Sequence, residues 1–223
     1  MEFNKSNRFN DDENQVKQNT THYAGEIGDF DYDPNIWEIS GNGLRFKNKE
    51  VKSLPENLEL PKGCINISNM FTECTNLTDI TALENWDTSK IKDMSGMFFE
   101  CTNLTDITPL QNWDTSSVKD MSYMFHSCSK LTDISPLQNW NTSNVNNMKN
   151  MLFNLTNLTD ITPLQNWDTS NVRLMINMFA QCENLTDITP LQDWNTSKVE
   201  DMSAMFAHCI KLTDETQLLK FSK

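Results

Sequence analysis

The stretch "NLTDITPLQNWDTS", Asn103–Ser116, recurs with small changes at 76–89, 130–143, 157–170 and 184–197. One tryptophan of this stretch marks the period, because its copies are 27 residues apart: Trp86, Trp113, Trp140, Trp167 and Trp194. A unit this small cannot enclose a hydrophobic core, so copies must stack on one another to bury their apolar side chains. The repetition therefore predicts a stacked-repeat fold.

The apolar residues of one unit predict how the chain runs within a repeat. They lie three or four residues apart, except for one adjacent pair, at Val118, Met121, Met124, Phe125, Cys128, Leu131, Ile134, Leu137 and Trp140. One continuous helix gives this spacing over short windows, but Pro136 and the turn-forming "WNTS" exclude it over the full unit. We predict a coil that turns once per repeat. In it, "LTDI" forms a short strand with Leu and Ile inward, "TPLQNW" forms a turn, and "DTSxVxxMSxMFxxC" forms an extended stretch followed by a short helix.

The segment "WDTSSVKDMSYMFHSCSKLTDI", 113–134, resembles the bacterial surface protein repeat of Mycoplasma and Listeria lipoproteins, which is related to BspA-like leucine-rich repeats. The "TDITPL" segments also resemble internalin repeats. The resemblance covers roughly residues 64–215. It implies a leucine-rich-repeat-like, right-handed α/β solenoid, with short parallel strands on one face, short helices on the other, and a role in adhesion or protein binding without catalysis. The period of 27 suggests a two-residue enlargement at the Pro-Leu turn.

The two ends differ from the repeats and divide the chain into four parts. Residues 1–30 are polar and predicted to be mobile, and 31–63 are predicted to be an N-terminal cap, because "WEISGNGLRF" alternates around a glycine turn as a β-hairpin does. The solenoid is predicted over 64–212 and a C-terminal cap over 213–223, where the isoleucine column changes to Glu215. A truncation at Leu212 is expected to aggregate.

Charge and composition limit the classes of partner. With 18 basic and 31 acidic residues the net charge is −13, which argues against direct binding to nucleic acid and favours a protein partner with a basic surface. No apolar run is long enough for membrane insertion, and we expect a monomer. The six cysteines form no CxxC pair and five share one repeat phase, which Leu155 fills in another repeat, so they are predicted to be reduced, buried and structural.

The aspartates of the "LTDI" segments form the first candidate site. They recur at one phase: Asp79, Asp106, Asp133, Asp160, Asp187 and Asp214. If neighbouring strands lie about 4.8 Å apart, the carboxylates repel one another, and their pKa values should rise. One interpretation is structural, with hydrogen bonds to nearby Thr hydroxyls and backbone N–H groups. The other is an acidic strip that meets a basic partner. Calcium binding is disfavoured, since only Gly96 follows residue 63.

The second candidate site consists of apolar residues at phases that are otherwise mainly polar. These are Tyr123, Phe153, Leu174 and Ile176. They indicate either local repacking around Leu152 and Leu155 or an exposed patch that binds a partner.

Catalysis has little support in the sequence. His22, His126 and His208 share no phase, and no nucleophile–base, phosphate-loop or metalloprotease motif is present, so we expect no enzyme activity and no cofactor or metal. The leading hypothesis is a non-enzymatic protein-binding scaffold. The alternatives are an intracellular acidic inhibitor of phage or mobile-element type, such as an anti-CRISPR or nucleic-acid mimic, and a cell-surface adhesin. A native start at Met1 predicts a cytoplasmic protein, and a removed signal segment predicts a surface or secreted one.

Overall fold

A computed structural model describes residues 32–41 and 43–221 of the chain. The predicted mobile segment 1–30 therefore lies outside the described residues. Two strands, β1 (Trp37–Ser40) and β2 (Gly43–Phe46), pair antiparallel, with Trp37 opposite Phe46. This is the hairpin that the alternation of "WEISGNGLRF" predicts. Five 3₁₀ helices follow at 27-residue intervals, at Thr81–Leu83, Thr108–Leu110, Ser135–Leu137, Thr162–Leu164 and Thr189–Leu191. A short helix α1 (Glu215–Leu218) and a 3₁₀ turn (Leu219–Phe221) come last.

Consecutive repeats stack through a parallel hydrogen-bonded ladder. Single parallel bridges join Asn66 to Asp93, and then join Asp93, Asp120, Asn147, Leu174 and Asp201 in succession. From each bridge onward, alternate backbone N–H groups donate to the repeat that follows. In one repeat, Met94, Gly96 and Phe98 donate to Asp120, Ser122 and Met124 at 2.8 to 3.0 Å. We call these segments, 66–73, 93–100, 120–127, 147–154, 174–181 and 201–208, the ladder segments.

The predicted helix within each ladder segment is wrong, and the backbone shows why. Two residues of each segment have positive φ, such as Tyr123 at 58° and Ser127 at 59°. A left-handed residue ends a helical turn, because the next N–H group can no longer reach the carbonyl four residues back. Between the groups that donate across repeats, other N–H groups close tight turns, as from Met97 to the Met94 carbonyl at 3.3 Å.

The predicted strand at "LTDI" is also wrong in most repeats. Among these segments only Asp79 forms a bridge, to Ser53. The physical reason is the turn that follows: Ile107 has φ −115° and ψ 16°, which is not extended backbone, and a 3₁₀ helix with Pro109 in its first turn begins at Thr108. The inward and outward sides are nevertheless as predicted, since Leu104 and Ile107 are buried and Asp106 is exposed.

Most polar side chains that recur with the period join one repeat to its neighbour. Trp113 Nε1 donates to the Leu83 carbonyl at 3.0 Å, and the buried Thr115 hydroxyl donates to the Asn141 carbonyl at 3.0 Å. Asn103 Nδ2 reaches the Thr75 carbonyl at 2.7 Å. A buried polar group without such a partner costs free energy, so these residues recur because each contact recurs.

The core is one continuous column of apolar side chains along the stack. All six cysteines are buried, as predicted, and carry free thiols; Cys128 Sγ, for example, donates to the Phe98 carbonyl at 3.1 Å. Leu155, which takes the cysteine phase in one repeat, is fully buried. Phe71, Phe98 and Phe125 stack ring on ring with centroids 5.7 Å apart.

Both ends of the column are covered. In the hairpin, the Trp37 ring lies 6.0 Å from Phe71 and 6.5 Å from Trp86. At the other end, Phe221 continues the tryptophan phase and meets Phe206 at 5.4 Å, while Gln217 Oε1 accepts the Ile188 N–H at 2.9 Å. The domain limits, the right-handed coil and its likeness to leucine-rich repeats stay predictions.

Candidate functional site

The aspartates of the predicted acidic strip cap the turns that follow them in the chain. Asp79, Asp106, Asp133, Asp160 and Asp187 are all exposed. In each, Oδ1 accepts the N–H of the residue two positions later, as Asp106 does from Thr108 at 2.8 Å and Asp133 from Ser135 at 2.8 Å. This contact supports the structural interpretation, since it supplies an acceptor to the first free N–H of each 3₁₀ helix. Their role in binding a partner stays a prediction.

The predicted rise in the pKa values of this column is wrong at two positions. Hydrogen bonds from the Ser53 hydroxyl and from Thr81 lower the pKa of Asp79. Hydrogen bonds from the Thr162 side chain and N–H lower the pKa of Asp160. Donors to the ionised carboxylate favour it, and solvent around an exposed side chain screens repulsion between neighbours.

A cluster of aromatic rings lies on the outward side of three consecutive ladder segments. The His126 ring is stacked between Phe99, at 4.6 Å between centroids, and Phe153, at 4.5 Å. Tyr123 lies 5.7 Å from His126 and 6.4 Å from Phe99. We call these four residues the aromatic cluster. Tyr123, His126 and Phe153 are only partly buried, so the cluster presents ring surface to solvent.

Two carboxylates lie at the start of the same ladder segments. Asp93 and Asp120 are bridge partners in adjacent repeats, and we call them the carboxylate pair. Asp93 Oδ1 accepts the Ser95 N–H at 2.9 Å, and Asp120 Oδ1 accepts the Ser122 N–H at 2.8 Å. Burial and, secondarily, the charge of Asp120 raise the pKa of Asp93 to about 6. Two like charges in a half-buried setting favour protonation of one of them.

Hydrogen bonds connect the carboxylate pair to the aromatic cluster. Asn147 Nδ2 donates to Asp120 Oδ2 at 2.9 Å, and Asn147 Oδ1 accepts the Lys149 N–H at 3.1 Å. The Lys149 ammonium then lies over the Tyr123 ring, 5.5 Å from its centroid. The pair and the cluster therefore share one surface, which we call the ladder face.

Leu174 and Ile176 lie on the ladder face but one repeat further along. Leu174 occupies the bridge phase between Asn147 and Asp201, and Ile176 occupies the phase of Ser122 and Lys149. Both side chains are partly buried. The structure thus brings Tyr123 and Phe153 together around His126, and places the other two predicted residues in the neighbouring ladder segment.

Two buried polar atoms on the ladder face have no hydrogen-bond partner. They are Asn150 Oδ1 and His126 Nδ1, and among the buried side-chain nitrogen and oxygen atoms of the described residues only Arg45 Nε also lacks a partner. Asn150 is 2% exposed and occupies the same phase as Tyr123. Burial lowers the pKa of His126 to about 4, so the ring is neutral near pH 7 and one of its nitrogens is an acceptor.

Sequence reasoning missed Phe99, His126, Asp93, Asp120 and Asn150 as site residues. Phe99, His126 and Phe153 share one phase in successive repeats, 27 residues apart. In a stacked fold such residues become direct neighbours. Three rings in succession at one phase are therefore the signal from which the aromatic cluster was predictable.

Over 32–41 and 43–221, no three His, Cys, Asp or Glu residues are grouped as a metal site requires. In that same part of the chain, no helix has the length and apolarity needed to cross a membrane.

One family matches most of the repeat region. The family described as "Mycoplasma protein of unknown function, DUF285" matches residues 65–162 and, in a second overlapping match, residues 130–223. No curated protein matches the chain. The double match agrees with the internal repetition, because one family unit spans several of the 27-residue copies.

Proposed function

This chain belongs to the DUF285 repeat family, and we propose that it is a non-enzymatic scaffold that binds another protein through the ladder face. The observation that carries the proposal is the aromatic cluster. Its rings come from three successive repeats, and three of its four side chains keep solvent-exposed surface. Aromatic side chains grouped on a rigid surface supply much of the binding energy at protein interfaces.

The side chains that recur from repeat to repeat support the ladder face as the binding surface. Where the repeat is faithful, recurring side chains such as Trp140, Thr142 and Asn157 form hydrogen bonds to neighbouring repeats. Residues that break the repeat are not required for these recurring hydrogen bonds between repeats. Specificity in repeat proteins commonly resides in such variable positions on a constant frame.

We further propose that the frame is a leucine-rich-repeat-like solenoid related to BspA-type surface repeats. Its parallel bridges at intervals of one repeat, with the apolar column beside them, support that relationship. The partner is proposed to have a basic surface, because a net charge of −13 speeds encounter with a cationic protein and repels anionic ones.

The test is affinity capture from native lysate at low and high salt, with captured proteins identified by mass spectrometry. The wild-type chain is compared with the double variant Tyr123→Ala/Phe153→Ala and with Ile39→Ala. Ile39 is an exposed apolar residue of the hairpin, 53% exposed, and serves as the matched control. We expect a specific protein to be retained by the wild type and the control and lost from the double variant.

A second arm examines the aspartate column. Asp106→Asn combined with Asp133→Asn removes two charges but keeps the oxygen that caps each turn. We expect capture to persist, so loss of the partner would assign binding to the column. If the Tyr123→Ala/Phe153→Ala variant stays folded by thermal denaturation and still retains every protein that the wild type does, the ladder face is not the binding surface.

A further inference from the structure

We propose that the ladder face binds an arginine side chain of the partner, which takes the place of the Lys149 ammonium over Tyr123 and lies beside the carboxylate pair. This inference rests on the proposed function, since it names the chemistry by which the same face recognises its partner.

The protein already places a cation against the Tyr123 ring. Lys149 is the only lysine or arginine at its phase, where Ser68, Ser95, Ser122 and Ser203 occupy most other repeats. Its ammonium lies 5.5 Å from the Tyr123 centroid. An aromatic face attracts cations through its quadrupole, and an arginine in that position also stacks its planar guanidinium on the ring.

Two carboxylates belong to the same network of contacts. Asp120 connects to the backbone N–H of Lys149 through the side chain of Asn147, by hydrogen bonds of 2.9 and 3.1 Å. Asp93 lies one repeat away as the bridge partner of Asp120. Each carboxylate uses Oδ1 to cap its own turn, and its Oδ2 accepts a hydrogen bond from an asparagine side-chain amide. A bound cation offsets the repulsion between the two carboxylates.

Unpaired buried atoms on the ladder face distinguish arginine from lysine. Asn150 Oδ1 and His126 Nδ1 are buried without a hydrogen-bond partner. Unpaired buried acceptors cost free energy that an incoming donor recovers. A guanidinium carries five N–H donors in a planar fork and no acceptor, whereas an ammonium is a compact point charge. Asn150 Oδ1 and the oxygens of the carboxylate pair, next to the aromatic cluster, therefore favour a guanidinium over an ammonium.

The experiment uses the full chain and three labelled peptides of equal length, rich in arginine, lysine or citrulline. Citrulline has the shape of arginine without its charge. Fluorescence anisotropy gives the dissociation constants. We expect the arginine peptide to bind roughly tenfold more tightly than the lysine peptide, and the citrulline peptide to bind more weakly than both.

Variants separate a defined site from diffuse attraction between charges. Lys149→Met removes the competing ammonium and should tighten binding of the arginine peptide. Lys130→Met is the matched control, because it removes the same charge from an exposed lysine that bonds Asn103. Tyr123→Leu and Asp120→Asn should each weaken binding by roughly tenfold, with folding monitored by thermal denaturation.

The outcomes distinguish failure of this inference from failure of the proposed function. Equal affinity for the arginine and lysine peptides, or equal effects of Lys149→Met and Lys130→Met, would overturn the arginine site. If capture of a protein partner depends on Tyr123 and Phe153 but the arginine peptide does not compete with it, the binding face stands and the arginine chemistry fails. If the peptide binds as expected while no captured protein depends on the cluster, the proposed function fails.

Discussion

At the scale of single residues, the neighbours of a side chain decide its role more than its identity does. Asp106 and Asp93 both cap a turn through Oδ1. Asp106 does so in solvent, whereas Asp93 is half-buried beside Asp120, and its pKa is raised to about 6. The neighbours of His126 likewise determine its charge, because burial between two phenylalanines lowers the pKa of its ring to about 4.

These two groups make opposite contributions to stability in the same pH range. The folded state raises the pKa of Asp93 from 3.8, so its contribution grows as pH falls through about 6 and is complete below 3.8. The folded state lowers the pKa of His126 from 6.5, so its contribution is present above 6.5 and is lost as pH falls towards 4. The two contributions therefore oppose each other between pH 7 and pH 4.

Single substitutions of Asp93 and His126 should therefore separate their two contributions to stability. The Asp93→Asn variant keeps the contribution of His126 and lacks that of Asp93. The free energy of unfolding of this variant should therefore fall by roughly 2–3 kcal/mol relative to wild type between pH 7 and pH 4. The His126→Phe variant keeps the contribution of Asp93 and an aromatic ring in the stack. Its free energy of unfolding should rise by a similar amount relative to wild type over the same pH range. Urea denaturation at several pH values measures both. Parallel pH profiles for the wild type and both variants would contradict the opposing contributions.

At the scale of elements, the ladder segments depend on residues that tolerate positive φ. Each described ladder segment has two of them, at 11 non-glycine positions with φ between 54° and 62° and at Gly96, and most are asparagine or other polar residues. Each left-handed residue turns the chain so that alternate N–H groups face the next repeat. The ladder therefore consists of short turns joined across repeats, and regular strands are not required.

Gly96 provides a test of this geometry. Its φ is 59°, and a methyl group on its Cα would overlap Asn69 Oδ1 of the preceding repeat. Gly96→Ala should lower the free energy of unfolding by roughly 1–3 kcal/mol. In an Asn69→Gly background, which removes the overlapping amide at a φ of 55°, the cost of the same change should be clearly smaller.

The matched control for Gly96 is Ala204, which occupies the same phase with φ 54°. Ala204→Gly should change stability by less than ~1 kcal/mol, because the backbone already adopts that conformation. Chemical denaturation measures all four variants. An unchanged cost of Gly96→Ala in both backgrounds would show that contact with Asn69 is not the cause.

At the scale of the whole molecule, each repeat is held by its neighbours, so the ends of the stack need separate cover. Central core residues such as Met124 and Leu137 are 0% exposed, whereas Val199 and Leu212 in the last repeat are each 9% exposed. Residues 215–221 continue the phase of the repeat and place Gln217 and Phe221 against the last complete copy. Stability in a stacked array falls towards a repeat that has lost one neighbour.

A chain truncated after Leu212 should therefore aggregate or melt at a lower temperature. The truncation removes the Phe221 contact with Phe206 and the Gln217 hydrogen bond to Ile188. Light scattering after size exclusion and thermal denaturation measure the outcome. The full-length Phe221→Ala variant should show a milder loss of stability, of roughly 3–5 kcal/mol or less. A soluble, monomeric truncation with an unchanged melting temperature would contradict this account of the C-terminal segment.

Some features follow from the sequence because they depend on period and polarity alone. The 27-residue repeat determined that copies stack, which side chains are buried, where the Thr-Pro-Leu turns occur and that the cysteines are buried. The alternation around Gly41 predicted the hairpin. These features are local or recur in each copy, so many similar residues report the same environment.

The tertiary structure alone decided the rest. Apolar spacing of three and four residues fits a helix as well as a series of tight turns, and only contact with the next repeat selects the turns with left-handed residues. Likewise, Phe99, His126 and Phe153 become a stack, and Asp93 and Asp120 become a pair, because stacking places residues of successive repeats side by side. Side-chain neighbours, and the pKa values that depend on them, are properties of packing between repeats.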